Sequence, residues 1–128
     1  MDEHQHDEVI EGVKEQFKEL LDESSQAIYI YLDDDHKICN SKFASLLGYS
    51  SPDEWAGVTG PFPENFVAES SQQHLVDTYM DAMEKKIGSK VEITWKKKDG
   101  EEVKSKVILV PISYNNEFLA LHFIEEIN

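Results

Sequence analysis

The chain has 128 residues, 40% of them apolar and 30% charged, and carries a net charge of −14. That length fits one domain with one core, and the composition is globular rather than disordered. The acidic balance repels phosphate backbones, so no nucleic-acid partner is expected.

The first predicted element runs from about Asp7 to Leu21. Ile10, Val13, Phe17 and Leu20 follow one another at +3, +4 and +3, the spacing of an apolar helical seam. Charged residues cover the opposite side. The seam suits packing on the chain's own domain and pairing with a second subunit equally well. If it is the dimer interface, removing residues up to Leu21 should leave a monomer.

Ala27 to Leu32 is β-branched and aromatic, hence a strand. Asp33, Asp34 and Asp35 form a turn that could suggest a metal site, but three adjacent residues do not by themselves converge on one ion, so it reads as solvated; His36 to Cys39 returns as a short strand, and His36 has no evident partner. Asn40 or Ser41 caps a short helix that Gly48 closes. Ser51, Pro52 and Glu54 form a capping box for the next helix, which carries Trp55. Gly60-Pro61-Phe62-Pro63 breaks the chain before a turn with Phe66.

Ser70 to Gln73 reads as a second capping box, opening the longest internal helix. Leu75, Val76, Tyr79, Met80, Met83 and Ile87 form its apolar face, and Gly88 ends it. Val91, Ile93 and Trp95 alternate with polar residues in a strand. Asp99-Gly100 turns the chain into Val103 to Ile112, and Tyr114 to Glu117 turns it into Phe118 to Ile124. Lys96, Lys97 and Lys98, beside the Asp99 turn, read as a solvated hairpin end.

This order of elements resembles the PAS fold. Ile38-Cys39-Asn40, then Phe43 and Leu46-Leu47-Gly48-Tyr49-Ser50, resemble the family's second strand and following helix. Pro52 to Trp55 resembles its next helix, and Lys97-Lys98-Asp99-Gly100 its basic-Asp-Gly hairpin. The first hairpin departs from the family in lacking a glycine after its aspartate. The resemblance covers about 26–127 and implies an α+β domain. It is a five-stranded antiparallel sheet with short helices on one face, enclosing a cavity. The expected organisation is an N-terminal amphipathic helix over 1–25, flanking or dimerising, and a PAS-like domain over 26–128.

The family also implies a sensory or dimerising role in signalling. A small ligand would sit between the sheet and the long helix, near Gln72, Tyr79, Trp95 and His122. His122 alternates with Ala120 and Ile124 in the last strand, and the resemblance points that face inward. Gln72 or Tyr79 could instead satisfy its ring within a closed core. The alternative to a sensor is a constitutive dimerisation or adaptor domain, its core filled by Trp55, Phe62, Phe66, Tyr79 and Trp95. A homodimer through the first helix and a signalling-protein partner fit both readings.

Neither flavin nor haem is expected as a cofactor. The flavin photosensors of the family carry Asn-Cys-Arg-Phe-Leu-Gln on a helix, whereas Cys39-Asn40-Ser41-Lys42-Phe43 is in another order and begins on a strand. His74 lies on the long helix but on the side away from its apolar face, facing solvent. His4 and His6, amid acidic residues, could hold a transition metal, but a terminal segment needs no such role, and no metal site is expected. No nucleophile elbow, phosphate loop or His-Glu-x-x-His run occurs, so no enzyme is expected; a small isomerase or hydrolase would have only His122 and a tyrosine to work with. No apolar run reaches the roughly 20 residues of a membrane span. Acidic residues stand where a secretory signal would be basic, and the single Cys39 suits a reducing compartment, so a cytoplasmic location is expected.

Overall fold

The computed structural model describes residues 3–127, with side chains from Gln5 to Ile127; the side chain of His4 lies outside the described residues. Two N-terminal helices, α1 (Glu3–Gln16) and α2 (Lys18–Glu23), precede a hairpin of β1 (Ala27–Asp33) and β2 (His36–Cys39). Four helices follow: α3 (Ser41–Leu46), α4 (Pro52–Ala56), α5 (Phe62–Phe66) and α6 (Glu69–Lys85). Strands β3 (Ser89–Lys96), β4 (Glu102–Tyr114) and β5 (Glu117–Glu126) close the chain. The sheet is fully antiparallel in the order β2-β1-β5-β4-β3.

Strand periodicity divides the sheet into two apolar faces, and each has its own cover. On the inner face Tyr29, Val91, Ile93, Trp95, Val107 and Ile124 pack against residues of α3–α6. On the outer face Ile28, Ile30, Ile38, Leu119 and Leu121 pack against Val9, Ile10 and Val13 of α1 and Leu21 of α2. The single predicted helix is therefore two, broken at Phe17. Hydrogen bonds from Phe17 N–H to Val13 O and from Leu21 N–H to Phe17 O, both 2.9 Å, carry the chain through the break as a kink.

The seam residues separate along that kink. Ile10 and Val13 are buried on the chain's own sheet, Phe17 is half-buried, and Leu20 remains 37% exposed. Gly12 lets α1 come close: a Cβ there would lie 2.1 Å from the Tyr114 hydroxyl oxygen.

Local signals explain most element ends. Asn40 caps α3, its Oδ1 accepting from Phe43 N–H at 3.0 Å and from Ile28 N–H at 3.1 Å, while Nδ2 donates to Gln26 O at 2.9 Å. One buried amide thus joins a helix start to β1. Ser51 Oγ accepts from Glu54 N–H at 3.0 Å, but Glu54 returns its bond to Ser50 N–H, one residue earlier than a capping box requires. The Asn115-Asn116 turn takes positive φ at both residues, as a two-residue hairpin demands.

Two predicted ends move. The long helix starts at Glu69, with Ala68 at its N-cap. Ala68 N–H bonds Thr94 O at 2.9 Å and Val67 pairs with Trp95, so attachment to β3 fixes the helix start. Ser71, inside the helix, instead accepts from Thr94 N–H through its hydroxyl at 3.0 Å. At the far end Lys86, not Gly88, takes the left-handed conformation that stops the helix. Ile87 and Met80, predicted on the apolar face, are 62% and 61% exposed.

Candidate functional site

β1 and β5 are adjacent and antiparallel, with Tyr29 opposite His122 and Tyr31 opposite Ala120. Both aromatic residues of β1 therefore point to the inner face beside His122. The His122 ring is 1% exposed and stacks on Tyr29 at 3.9 Å between centroids and 10° between planes. Its Nδ1 lies 3.0 Å from Ala120 O. A carbonyl only accepts, so Nδ1 carries the ring hydrogen and Nε2 keeps its lone pair.

Burial disfavours the imidazolium and outweighs the backbone groups of Ala120 and Tyr29, holding the His122 pKa down to about 3. His122 is a neutral hydrogen-bonding group at physiological pH, not a cation. Its partner is a carbonyl of its own strand, where the closed-core reading had looked to Gln72 or Tyr79 across the fold.

His122, Tyr29, Tyr31 and Tyr79 line one cavity with Phe62, Pro63, Leu75 and Val76. Its volume is about 60 Å³. That is room for a few atoms, far below the ~300–1,000 Å³ of ordinary cofactor and drug-sized sites. Rings occupy the rest of the inner layer: Tyr29 lies 4.8 Å from Phe43, 5.4 Å from Phe62 and 5.8 Å from Trp95 between centroids.

Of the four residues predicted around a ligand, Tyr79 and His122 share this cavity; Gln72 and Trp95 do not line it. Gln72 is half-buried and its amide donates to Val67 O at 3.0 Å, which ties up the helix start. Trp95 is fully buried, and its indole N–H donates to Ser105 Oγ at 2.7 Å, which in turn donates to Ile93 O at 3.0 Å. Both polar groups are thus bonded within the framework. His74 is exposed. Cys39 is buried, and burial pushes its thiol up to about 12, so it is inert at neutral pH.

Sequence reasoning passed over three groups near the first turn. Asp34 accepts from the Tyr31 hydroxyl at 2.8 Å and from Phe62 N–H at 3.1 Å, tying the turn to α5 and to the cavity wall. Lys37 is 3% exposed and donates to Asp34 O, Ala56 O and Val58 O at 2.9, 3.3 and 2.7 Å. Burial lowers its pKa, against the pull of Asp35 and Asp34. His36 is buried too, and both ring nitrogens face carboxylates, Nδ1 on Asp33 and Nε2 on Asp7, each at 2.7 Å. Asp33 and Asp34 are therefore engaged in internal bonds, while Asp35 at the tip of the turn is exposed. Only Asp34 and Asp33, by their turn chemistry, carried any signal of it.

The lysines at the second hairpin are likewise engaged. Lys98 pairs with Glu54 at 2.9 Å, and Lys96 donates to Glu64 O at 2.5 Å.

No protein-family model and no curated protein matches the chain. Solved structures do. A PAS domain from Colwellia psychrerythraea aligns with a TM-score of 0.70 at 22% identity, over 90% of this chain and 97% of that one. A PAS domain from a two-component sensor histidine kinase aligns with a TM-score of 0.68 at 10% identity, over 91% and 99%. A light-oxygen-voltage domain studied with a flavin analogue aligns with a TM-score of 0.65 at 14% identity, over 91% and 85%. The chain has the PAS fold, an α+β domain on a five-stranded antiparallel sheet. Among the described residues, no helix is long and apolar enough to cross a membrane.

Proposed function

We propose that this chain is a PAS-type sensor module of the cytoplasm that takes a small, neutral ligand in the His122 cavity and acts by binding, not catalysis. The observation that carries this reading is a buried neutral imidazole in an otherwise apolar cavity ringed by three tyrosines. A carboxylate would find no cation there, since His122 stays neutral, so an alcohol or amide of a few heavy atoms is the better fit. Flavin and haem are far larger than the cavity. The output runs through β1: Tyr29 and Tyr31 face the cavity, while Ile28 and Ile30 on the same strand support α1. A ligand that shifts the tyrosines therefore shifts the seat of the helix. Signalling-protein contact, or homodimerisation, would follow at the outer face. There Leu20 and Ile108 remain 37% and 47% exposed.

The test is an NMR titration of the intact chain with a panel of small alcohols and amides. Saturable shifts at Tyr29, Tyr79 and His122 that vanish in His122→Phe support the sensor. A second reading, an adaptor with a filled core, is favoured by the packed rings around Tyr29. It requires no saturable shift with any of the panel, and a partner or second copy bound regardless of added small molecules.

A further inference from the structure

We propose that His6, Asp33 and His36 form a binding site for a divalent transition-metal ion, clamping α1 to the β1–β2 hairpin. Among the described residues these three side chains converge, each offering a ligand atom within 4.8 Å of the others. They come from three elements: α1, the end of β1 and the start of β2. The Asp33 carboxylate lies between the two rings. Its Oδ2 meets His6 Nδ1 in a short contact, and its Oδ1 lies 2.7 Å from His36 Nδ1. The two rings stand edge to face, 87° apart.

The carboxylates crowd both nitrogens of His36. A neutral imidazole has one N–H, yet both His36 nitrogens sit 2.7 Å from carboxylate oxygens. With Nε2–H donating to Asp7, the Nδ1 lone pair would face the Asp33 lone pairs. A second proton on the ring, or a metal ion between Nδ1 and Asp33, removes that conflict. His6 repeats the arrangement: Nδ1 faces Asp33 and Nε2 lies 3.9 Å from Glu117. Each imidazole thus presents Nδ1 to the Asp33 carboxylate, on separate oxygens, and turns Nε2 toward an outer carboxylate. That is the pattern by which carboxylates orient and strengthen metal-bound histidines.

The donor set selects the metal class. Two imidazoles and one carboxylate suit zinc, cobalt, nickel or copper rather than calcium or magnesium, which prefer all-oxygen shells. Bonds of about 2.0–2.1 Å in a tetrahedron place ligand atoms about 3.3 Å apart. The His36–Asp33 contact must therefore open by about half an ångström, and ligand atoms as much as 4.8 Å apart must draw in by about 1.5 Å. Water would complete the shell. The His36 side chain is 8% exposed and the His6 side chain 23%, so the site is shielded yet reachable. The site stands on its own geometry and does not depend on the sensor reading.

Zinc titrated calorimetrically into the intact, metal-stripped chain should bind one to one and raise the melting temperature. Cobalt should give the visible bands of a four-coordinate ion. His6→Gln, Asp33→Asn and His36→Gln should each weaken zinc binding roughly tenfold or more and abolish the thermal shift. His6 and Asp33 are only part-buried, so those two variants decide the matter if His36→Gln fails to fold by circular dichroism. Absence of zinc binding to the wild-type chain overturns the proposal. So does wild-type affinity in Asp33→Asn, which would put the metal elsewhere.

Discussion

His122 releases its proton on folding because the ring is carried into a site that water does not solvate. Its pKa falls from an ordinary 6.5 to about 3. Between those values the unfolded chain binds the proton and the folded chain does not. Stability from this group is therefore complete above pH 6.5 and is lost as pH falls, by roughly 1.4 kcal/mol per pH unit. His122→Phe should flatten that part of the acid limb in urea unfolding followed from pH 7 to 4, with little change at pH 7. A slope as steep as the wild type's would mean that other groups carry it. Lys37 poses the opposite problem, a charge kept inside because three carbonyls solvate it. Lys37→Met removes the ammonium that lies 5.5 and 5.7 Å from the Trp55 and Phe66 ring centroids and strands those carbonyls. It should lower unfolding free energy by about 1–3 kcal/mol, read from the urea midpoint at constant slope.

At the scale of elements, α1 is a cover before it is anything else. Glycine in mid-helix is unfavourable by about 1 kcal/mol relative to alanine, yet Gly12 sits where an added Cβ would overlap the Tyr114 ring. Gly12→Ala should therefore destabilise the chain despite its better propensity, since overpacking costs about 1–3 kcal/mol. In a Tyr114→Ala background the same change should become neutral or stabilising. Equal effects in both backgrounds, measured by thermal unfolding, would show that the close approach is not what the glycine serves. Removing residues 1–21 would strip Val9, Ile10, Val13 and Leu21 from Ile28, Ile30, Leu119 and Leu121. The truncated chain should associate and bind hydrophobic dyes rather than become the monomer that the seam alone suggested, as sedimentation velocity would report.

For the molecule as a whole, packing limits what can be sensed. With aromatic rings filling the inner layer, the free space of about 60 Å³ admits only small guests. The purified chain should be colourless above 350 nm, and native mass spectrometry should give the mass of the polypeptide without a large cofactor. A stoichiometric flavin or Soret spectrum would require the Tyr29 cluster to open on a scale that this packing does not provide.

Much of this architecture was legible from residue order, because it depends on local chemistry. Alternation in Val91 to Trp95, the Asp99-Gly100 turn and the Asn40 cap follow from backbone geometry and nearest neighbours; alternation put His122 on the face of Ala120 and Ile124, and the family resemblance alone pointed that face inward. Tertiary structure decided what distant segments do to one another. Gln72 and Trp95 have the right periodicity for a cavity, but Val67 O and Ser105 Oγ claim their polar groups. Ser70 to Gln73 has the residues of a helix start, but pairing of Val67 with β3 fixes the start earlier. The apolar seam of the first helix was visible in spacing alone; that its cover is the chain's own sheet was not, since a periodic pattern names a face and never its partner. His6, Asp7, Asp33, His36 and Glu117 are scattered in sequence and carry no common motif. Only folding α1 across the first hairpin, with β5 beside it, gathers those five groups into one cluster.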